Sequence, residues 1–375
     1  MTEGGTHILY GLPHSLYTGP ARAFLRKRGV AFIERSPQDP AFARDVLPAI
    51  GRAIIPVLVT PDDGIIQDSV DIIDAFEDGD PATSAYPAGG RQRLLALLLQ
   101  LYGSQGLLRH AMHFRWSHYD AQARFLDHAF GAGGRDAEAV MQRMRGYLPG
   151  LGVNAATAPL IEQSYHELLA LLDAHFTAHP YLLGGRASVG DYGLLGPLFA
   201  HLGRDPVPAD RMKRQAPAVA RWVERMNASD ADLPDFPGCA PAFLDDDAVP
   251  ETLLPLVAHI GEEMATELAD QIGFLERWVA ERQPADGDPV STRAHHRMLG
   301  NVASSYRGVP VDVAVPPYLL FLVARVRAGL LALNPADRDW AEALLGVAGL
   351  LEPITRPLGF GVARRNHVEV WSIPG

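Results

Sequence analysis

Apolar residues fall into short, β-branched or alternating runs over the first 70 positions, and into long helix-spaced stretches over most of the chain beyond residue 90. HILY (7–10), VAFIER (30–35) and the segment Ile54 to Val59 read as short strands, and Ile65-Ile66 begins another. A helix is predicted from about Pro20 to Arg28, stopped by Gly29, a residue suited to a helix C-cap. Residues 37–50 carry a loop with a short helix, and Asp62-Asp63-Gly64 supplies a tight turn. Gln67-Asp68-Ser69 then caps a helix with Val70, Ile73 and Phe76 on its apolar face. Pro56 interrupts an otherwise ordinary buried strand. Proline has no N–H for a ladder, and a cis Ile55–Pro56 bond is the candidate departure.

Residues 78–90 are rich in Gly, Pro, Asp and Ser, the composition of a linker. Beyond them the pattern is helical. QRLLALLLQ, within the stretch from Arg91 to Trp116, is apolar on nearly every side and implies a buried or dimer-facing helix. Residues 156–179 form an amphipathic helix, and Ser188-x-x-Asp191 is a capping box before another. QAPAVARWVERM (215–226) is helical, and residues 229–250 are a Pro- and Asp-rich connector. A long helix over 251–280, a loop over 281–290, and a short hairpin within 296–315 around Arg307-Gly308 follow. Pro316-Pro317 opens a helix reaching Leu333, and Pro335 to Leu351 gives one more. No internal repeat or low-complexity tract is visible.

A length of 375 residues suggests two or three domains, with ordinary globular composition. The formal charge of −11 argues against a general nucleic-acid or anionic-membrane binder. The basic run Arg26-Lys27-Arg28 sits where it complements a helix dipole. A lone cysteine, Cys239, excludes a disulfide framework, a cysteine-based metal cluster and a Cys-x-x-Cys redox centre. Met1 to Tyr10 has no secretory pattern, and the longest apolar run, Tyr318 to Leu333, is broken by Arg325 and Arg327. A soluble cytoplasmic protein is the expectation.

Strand, proline, strand, then Asp-Ser at a helix start resembles the thioredoxin-fold half of glutathione transferases. The Y-L-L-G-G lead with Ser188-x-x-Asp191, and the later helix around Trp222, resemble the helical half of the same family. The resemblance covers roughly residues 7–227. It implies an α/β thioredoxin-like N-terminal domain (1–80) and an all-α transferase domain (88–228); past Ala228 the sequence leaves the family pattern and reads as an additional helical extension (240–375). The resemblance also implies glutathione as co-substrate, with Ile55 before Pro56 offering its backbone and Asp68-Ser69, assisted by Gln67, holding the γ-glutamyl end. Arg52 could reach the glycyl carboxylate.

Conjugation needs the glutathione thiolate, which a hydroxyl near a helix start can stabilise. Ser15, Tyr17 and Thr18 lie in the loop before the first helix. Ser15 matches best the position that Ser-using relatives employ, although Pro20 stands where relatives are often basic, and Leu16 where they often carry Pro or Cys. Tyr10 is the second choice, and a helix cap is the plain alternative for Ser15. Tyr102, His110, His113, Phe114 and Trp116 are candidates to line the electrophile pocket. His110, His113 and His118 do not share one face and have no acidic partner at metal spacing, so no metal is expected. His295-His296 reads as a solvated face.

The resulting expectation is a glutathione transferase-like detoxification enzyme acting on a small, apolar electrophile, and a homodimer unless the extension covers the apolar helix. The rival is a non-catalytic binding or scaffold protein of the same fold. The rival predicts an occluded cleft, the enzyme an open one bordered by Ser15 and the 102–116 helix.

Overall fold

The alternation over residues 7–77 produces one small sheet. In the computed structural model, which describes residues 5–77, 79–131, 137–291 and 297–373, β1 (His7–Tyr10) leads through α1 (Thr18–Lys27) to β2 (Phe32–Arg35). A π-helical turn (Phe42–Val46) and α2 (Leu47–Ile50) follow, then β3 (Val57–Val59), β4 (Ile65–Gln67) and α3 (Ser69–Ala75). The strand order is β2-β1-β3-β4, with β1 parallel to β2 and the other pairs antiparallel. This is the thioredoxin-like arrangement. Parallel β1 and β2 need a crossover, and α1 supplies it.

The second unit is helical: α4 (Gly90–Leu101), α5 (Leu108–Trp116), α6 (Tyr119–Gly131), α7 (Ala137–Arg145), α8 (Ala158–Ala178), α9 (Val189–Ala200), α10 (Pro206–Gln215) and α11 (Pro217–Asn227). At its centre α9 opens on the anticipated capping box. Ser188 Oγ accepts from the Asp191 N–H, and Asp191 Oδ2 accepts from the Ser188 N–H at 2.8 Å. Asp191 Oδ1 accepts from Trp222 Nε1 on α11 at 3.1 Å, so two sequence-remote motifs are parts of one buried assembly. Helices α4 and α9 approach closely at Gly193, where a Cβ would lie 2.5 Å from Gln100 Cα.

The two units are sewn together by charge. Lys27 at the end of α1 donates to Tyr181 Oη (3.1 Å) and to the carbonyls of Arg225 (2.9 Å) and Asp230 (3.0 Å), so this basic run does more than complement a dipole. Arg115 forms a bidentate pair with Asp205 (2.7 and 2.9 Å) and donates to the His14 carbonyl in the first unit.

The extension begins with α12 (Leu254–Arg282), followed by the hairpin β5 (Asn301–Tyr306) and β6 (Val309–Ala314), α13 (Tyr318–Leu331), α14 (Pro335–Val347) and α15 (Leu351–Thr355). A second hairpin closes the chain, β7 (Gly361–Arg365) and β8 (Val368–Ser372), which the sequence reading missed. Gly329 of α13 lies against α4, its would-be Cβ 3.2 Å from Leu97 Cδ1. The apolar helix considered for a dimer contact is therefore covered by α9 and α13 of its own chain. Among the described residues, no helix is long and apolar enough to cross a membrane.

Candidate functional site

The N-terminal domain builds a polar rim where β3, α1 and α3 meet. The Ile55–Pro56 bond is cis. Among the described residues, neither the N–H nor the C=O of Ile55 has a hydrogen-bond partner, which leaves one peptide edge free. Asp68 caps α3, its Oδ1 accepting from the Val70 N–H at 2.9 Å. Its backbone sits at φ +83°, ψ 143°, a conformation costing a non-glycine residue about 1–3 kcal/mol. The Asp68 N–H donates to the Pro56 carbonyl at 3.2 Å, helping to hold that geometry. Ser69 is buried at the first turn, and Gln67 ends β4, its Oε1 3.5 Å from an Arg52 Nη2.

The three hydroxyl candidates go to different places. Ser15 Oγ accepts from the Thr18 N–H at 3.3 Å, so it caps α1. A hydroxyl has one donor and two lone pairs, so this cap leaves the O–H free to donate. Tyr17 is half-buried, with Asp68, Arg297 and Glu369 as its charged neighbours, and burial raises its pKa above the ordinary phenol value. Tyr10 is 2% exposed inside an apolar cluster with Phe42, Val46, Ile50 and Val57. Its backbone pairs with Val57 beside Pro56, while its side chain faces the apolar cluster and burial raises its pKa.

The extension enters this rim from residues more than 200 positions away. Tyr318 at the start of α13 donates to Asp68 Oδ1 at 3.1 Å. Arg364 on β7 donates to Asp71 Oδ2 (2.7 Å) and the Gln67 carbonyl (3.0 Å), and lies 3.5 Å from Asp68 Oδ2. Burial raises the Asp71 pKa to about 6, against the lowering effect of Arg364. Arg52 is 3.6 Å from Glu369 on β8 and 3.4 Å from the His367 carbonyl, while Arg297 also pairs with Glu369. Arg52 is thus buried against a carboxylate of its own chain.

Between the rim and the helical unit lies a cavity of about 100 Å³ whose lining includes Tyr17, Gln105, Arg109, Met264, Arg297 and Tyr318. The residues expected to line it do not. Tyr102 and His110 are fully buried, His110 Nε2 lying 2.9 Å from Ser164 Oγ and 3.4 Å from Glu263 Oε2. Burial lowers the His110 pKa to about 4, so its imidazole is neutral near pH 7. Phe114 packs on Tyr165 and His118, and Trp116 joins the Met112–Leu126–Met141 cluster. Residues 102–116 mix polar and apolar side chains without a single stripe, so spacing does not mark which face meets the cleft. The helix-spaced neighbours Gln105, Leu108 and Arg109 take that face.

His113 and His118 do converge on an acid, contrary to the spacing argument. Glu162 Oε1 of α8 lies 3.4 and 3.1 Å from their Nε2 atoms. An acid on another helix is invisible to local spacing. The other Glu162 oxygen pairs with Arg211 at 2.8 Å, a fixed cation that already neutralises it. His295-His296 lies outside the described residues.

Residues 9–84 match the family model "Glutathione S-transferase, N-terminal domain" and residues 138–225 match "Glutathione S-transferase, C-terminal domain". A search of curated proteins finds no match. Among solved structures, a glutathione transferase from Phanerochaete chrysosporium is 16% identical, covers 61% of this chain and 98% of its own, and has a TM-score of 0.44. The beta-etherase LigF from Sphingobium sp. is 18% identical, covers 60% of this chain and 97% of its own, and scores 0.43. A glutathione S-transferase from Methylobacterium radiotolerans, solved with glutathione sulfonate, is 19% identical, with 60% and 92% coverage and a score of 0.38. With both domain models matched in order, and the sheet and capping box in place, the chain belongs through its first two units to the glutathione S-transferase superfamily.

Proposed function

We propose that this chain is a glutathione transferase-like protein. Its N-terminal unit recognises glutathione, and it stabilises the bound thiolate for attack on a small, apolar electrophile. The observation that carries this reading is the unpaired Ile55 peptide edge beside Pro56, on the same rim as the α3 cap at Asp68-Ser69. An extended cysteinyl backbone can pair with such an edge, and a carboxylate at a helix start can receive an ammonium. Two hydroxyls stand ready for the sulfur. Ser15 has a free O–H at the start of α1, and Tyr17 lines the cavity. Catalysis would rest on lowering the thiol pKa and on holding two reactants together.

A second reading, a non-catalytic binding or scaffold protein, is favoured by one observation. The extension sits on the rim itself: Tyr318 and Arg364 contact Asp68, and Glu369 lies 3.6 Å from Arg52.

Calorimetric titration with glutathione, with thiolate absorbance followed against pH, separates the two. Wild type is compared with Ser15→Ala and Tyr17→Phe. Binding with a lowered thiol pKa, restored toward the free value by one of the substitutions, supports the enzyme and names the hydroxyl. Binding without a pKa change makes the protein a carrier, and no binding removes the glutathione reading.

A further inference from the structure

The register of the last hairpin pairs Arg364 directly with Glu369. Directly opposed residues of an antiparallel pair project from one face, so a cation and an anion stand side by side, together with Val362 and Trp371. The turn between them, Asn366-His367, holds both residues at positive φ (49° and 65°), the two-residue geometry whose twist matches that of the strands. This charged face is the one turned to the N-terminal rim. Arg364 sits on Asp68 and Asp71, Glu369 sits on Arg52, and the His367 carbonyl also faces Arg52.

We propose that the β7–β8 hairpin is an intramolecular occupant of the glutathione site, with Arg364 in place of the ligand's ammonium and Glu369 in place of its glycyl carboxylate. The inference rests on the reading of that site given above. Two features mark the arrangement as more than a surface cross-link. The signs match pole by pole: a cation meets the acid at the α3 start, and an anion meets the arginine near Pro56. The occupant is also held from behind. Arg364 lies over the rings of Tyr318 (5.5 Å) and Phe321 (5.2 Å), and Arg297 pairs with Glu369 from the other side.

The base of the hairpin is fixed. β8 exchanges backbone hydrogen bonds with residues 287–290, and Trp371 stacks on Trp278 at 5.2 Å. The tip, residues 364–368, and the Glu369 side chain stand over the rim beside Tyr318, while the Glu369 carbonyl is held by the Val290 N–H. Glutathione therefore binds by displacing the tip, and its apparent affinity is the intrinsic affinity multiplied by the fraction of molecules with the tip displaced. The Ile55 peptide edge, which the hairpin leaves unpaired, is where an incoming ligand gains its first contact.

The test is glutathione titration of the full chain as wild type, as the double variant Arg364→Gln/Glu369→Gln, and as Arg365→Gln. Arg365 lies on the hairpin's opposite face, paired with Asp286. The double variant is expected to bind at least tenfold more tightly than wild type, with Arg365→Gln unchanged. In parallel, saturating glutathione should speed hydrogen exchange at amides 364–368. Should the double variant fail to fold, Glu369→Gln alone carries the same comparison. Equal affinity in all proteins with unchanged exchange overturns the occupant role and leaves the glutathione reading standing. Absence of binding in every folded variant overturns both.

Discussion

Replacing Asp191 by alanine removes the acceptor on which the helical unit is centred. The residue is fully buried, and its carboxylate accepts from the Ser188 N–H (2.8 Å), the Ser188 hydroxyl (2.8 Å), the Leu182 N–H (3.0 Å) and Trp222 Nε1 (3.1 Å). The Ser188 hydroxyl can rotate to another acceptor. The two backbone donors and the indole cannot, and each buried donor left unsatisfied costs about 1–3 kcal/mol. Three such donors give a loss of roughly 3–6 kcal/mol, allowing for a water entering the vacated space. Against a whole-protein stability of about 5–15 kcal/mol, that leaves the fold marginal. Asp191→Asn keeps an oxygen for Leu182 and Trp222 but turns an NH₂ toward the Ser188 N–H, so about 1–3 kcal/mol is expected. Urea unfolding followed by tryptophan fluorescence and far-ultraviolet dichroism measures both. An alanine variant within about 1 kcal/mol of wild type would refute the argument, because it would mean that these donors find other partners.

Asp205→Ala strands the buried Arg115 guanidinium and should cost about 3–5 kcal/mol in the same unfolding assay. Acid should weaken the fold through buried neutral histidines. His175, with Nδ1 2.7 Å from the Thr252 hydroxyl and Nε2 3.3 Å from the Tyr181 carbonyl, has its pKa lowered to about 3 by burial. A depressed folded-state pKa contributes stability above the unfolded value near 6.5, and that stability is lost as pH falls toward 3, at up to about 1.4 kcal/mol per pH unit. Unfolding midpoints at pH 7.5 and 5.5 should show this slope, and His175→Gln should remove its share. Gly329→Leu pushes α13 off α4 at Leu97 and is expected to cost about 1–3 kcal/mol, read as a lowered melting temperature.

What the sequence determined by itself is what local rules control. Period-2 and β-branched runs set the short strands, Pro56 flagged a break in pairing, and Ser188-x-x-Asp191 closed its own first turn, since the two reciprocal bonds of the box span three residues. The Asp68 cap is local in the same way. The hairpin at 361–372 had a readable signal, the alternation GVARR and VEVWS around Asn366, but its inward face carries Arg364 and Glu369 beside Val362 and Trp371, and an apolar-in pattern assigns those two charges to solvent. The face of residues 102–116 that meets the cleft was undetermined, because polar and apolar residues alternate there without a single helical stripe. Packing of α8 and α12 decided it, with Tyr165 and Ser164 of α8 and Glu263 of α12 against Phe114 and His110, leaving Gln105 and Arg109 at the cavity. Tertiary structure alone joined Asp191 to Trp222, and Glu162 to His113 and His118. It also set the C-terminal charges against Arg52 and Asp68, because an ion pair spanning some 300 residues leaves no trace in spacing and exists only once both ends are packed on the same rim.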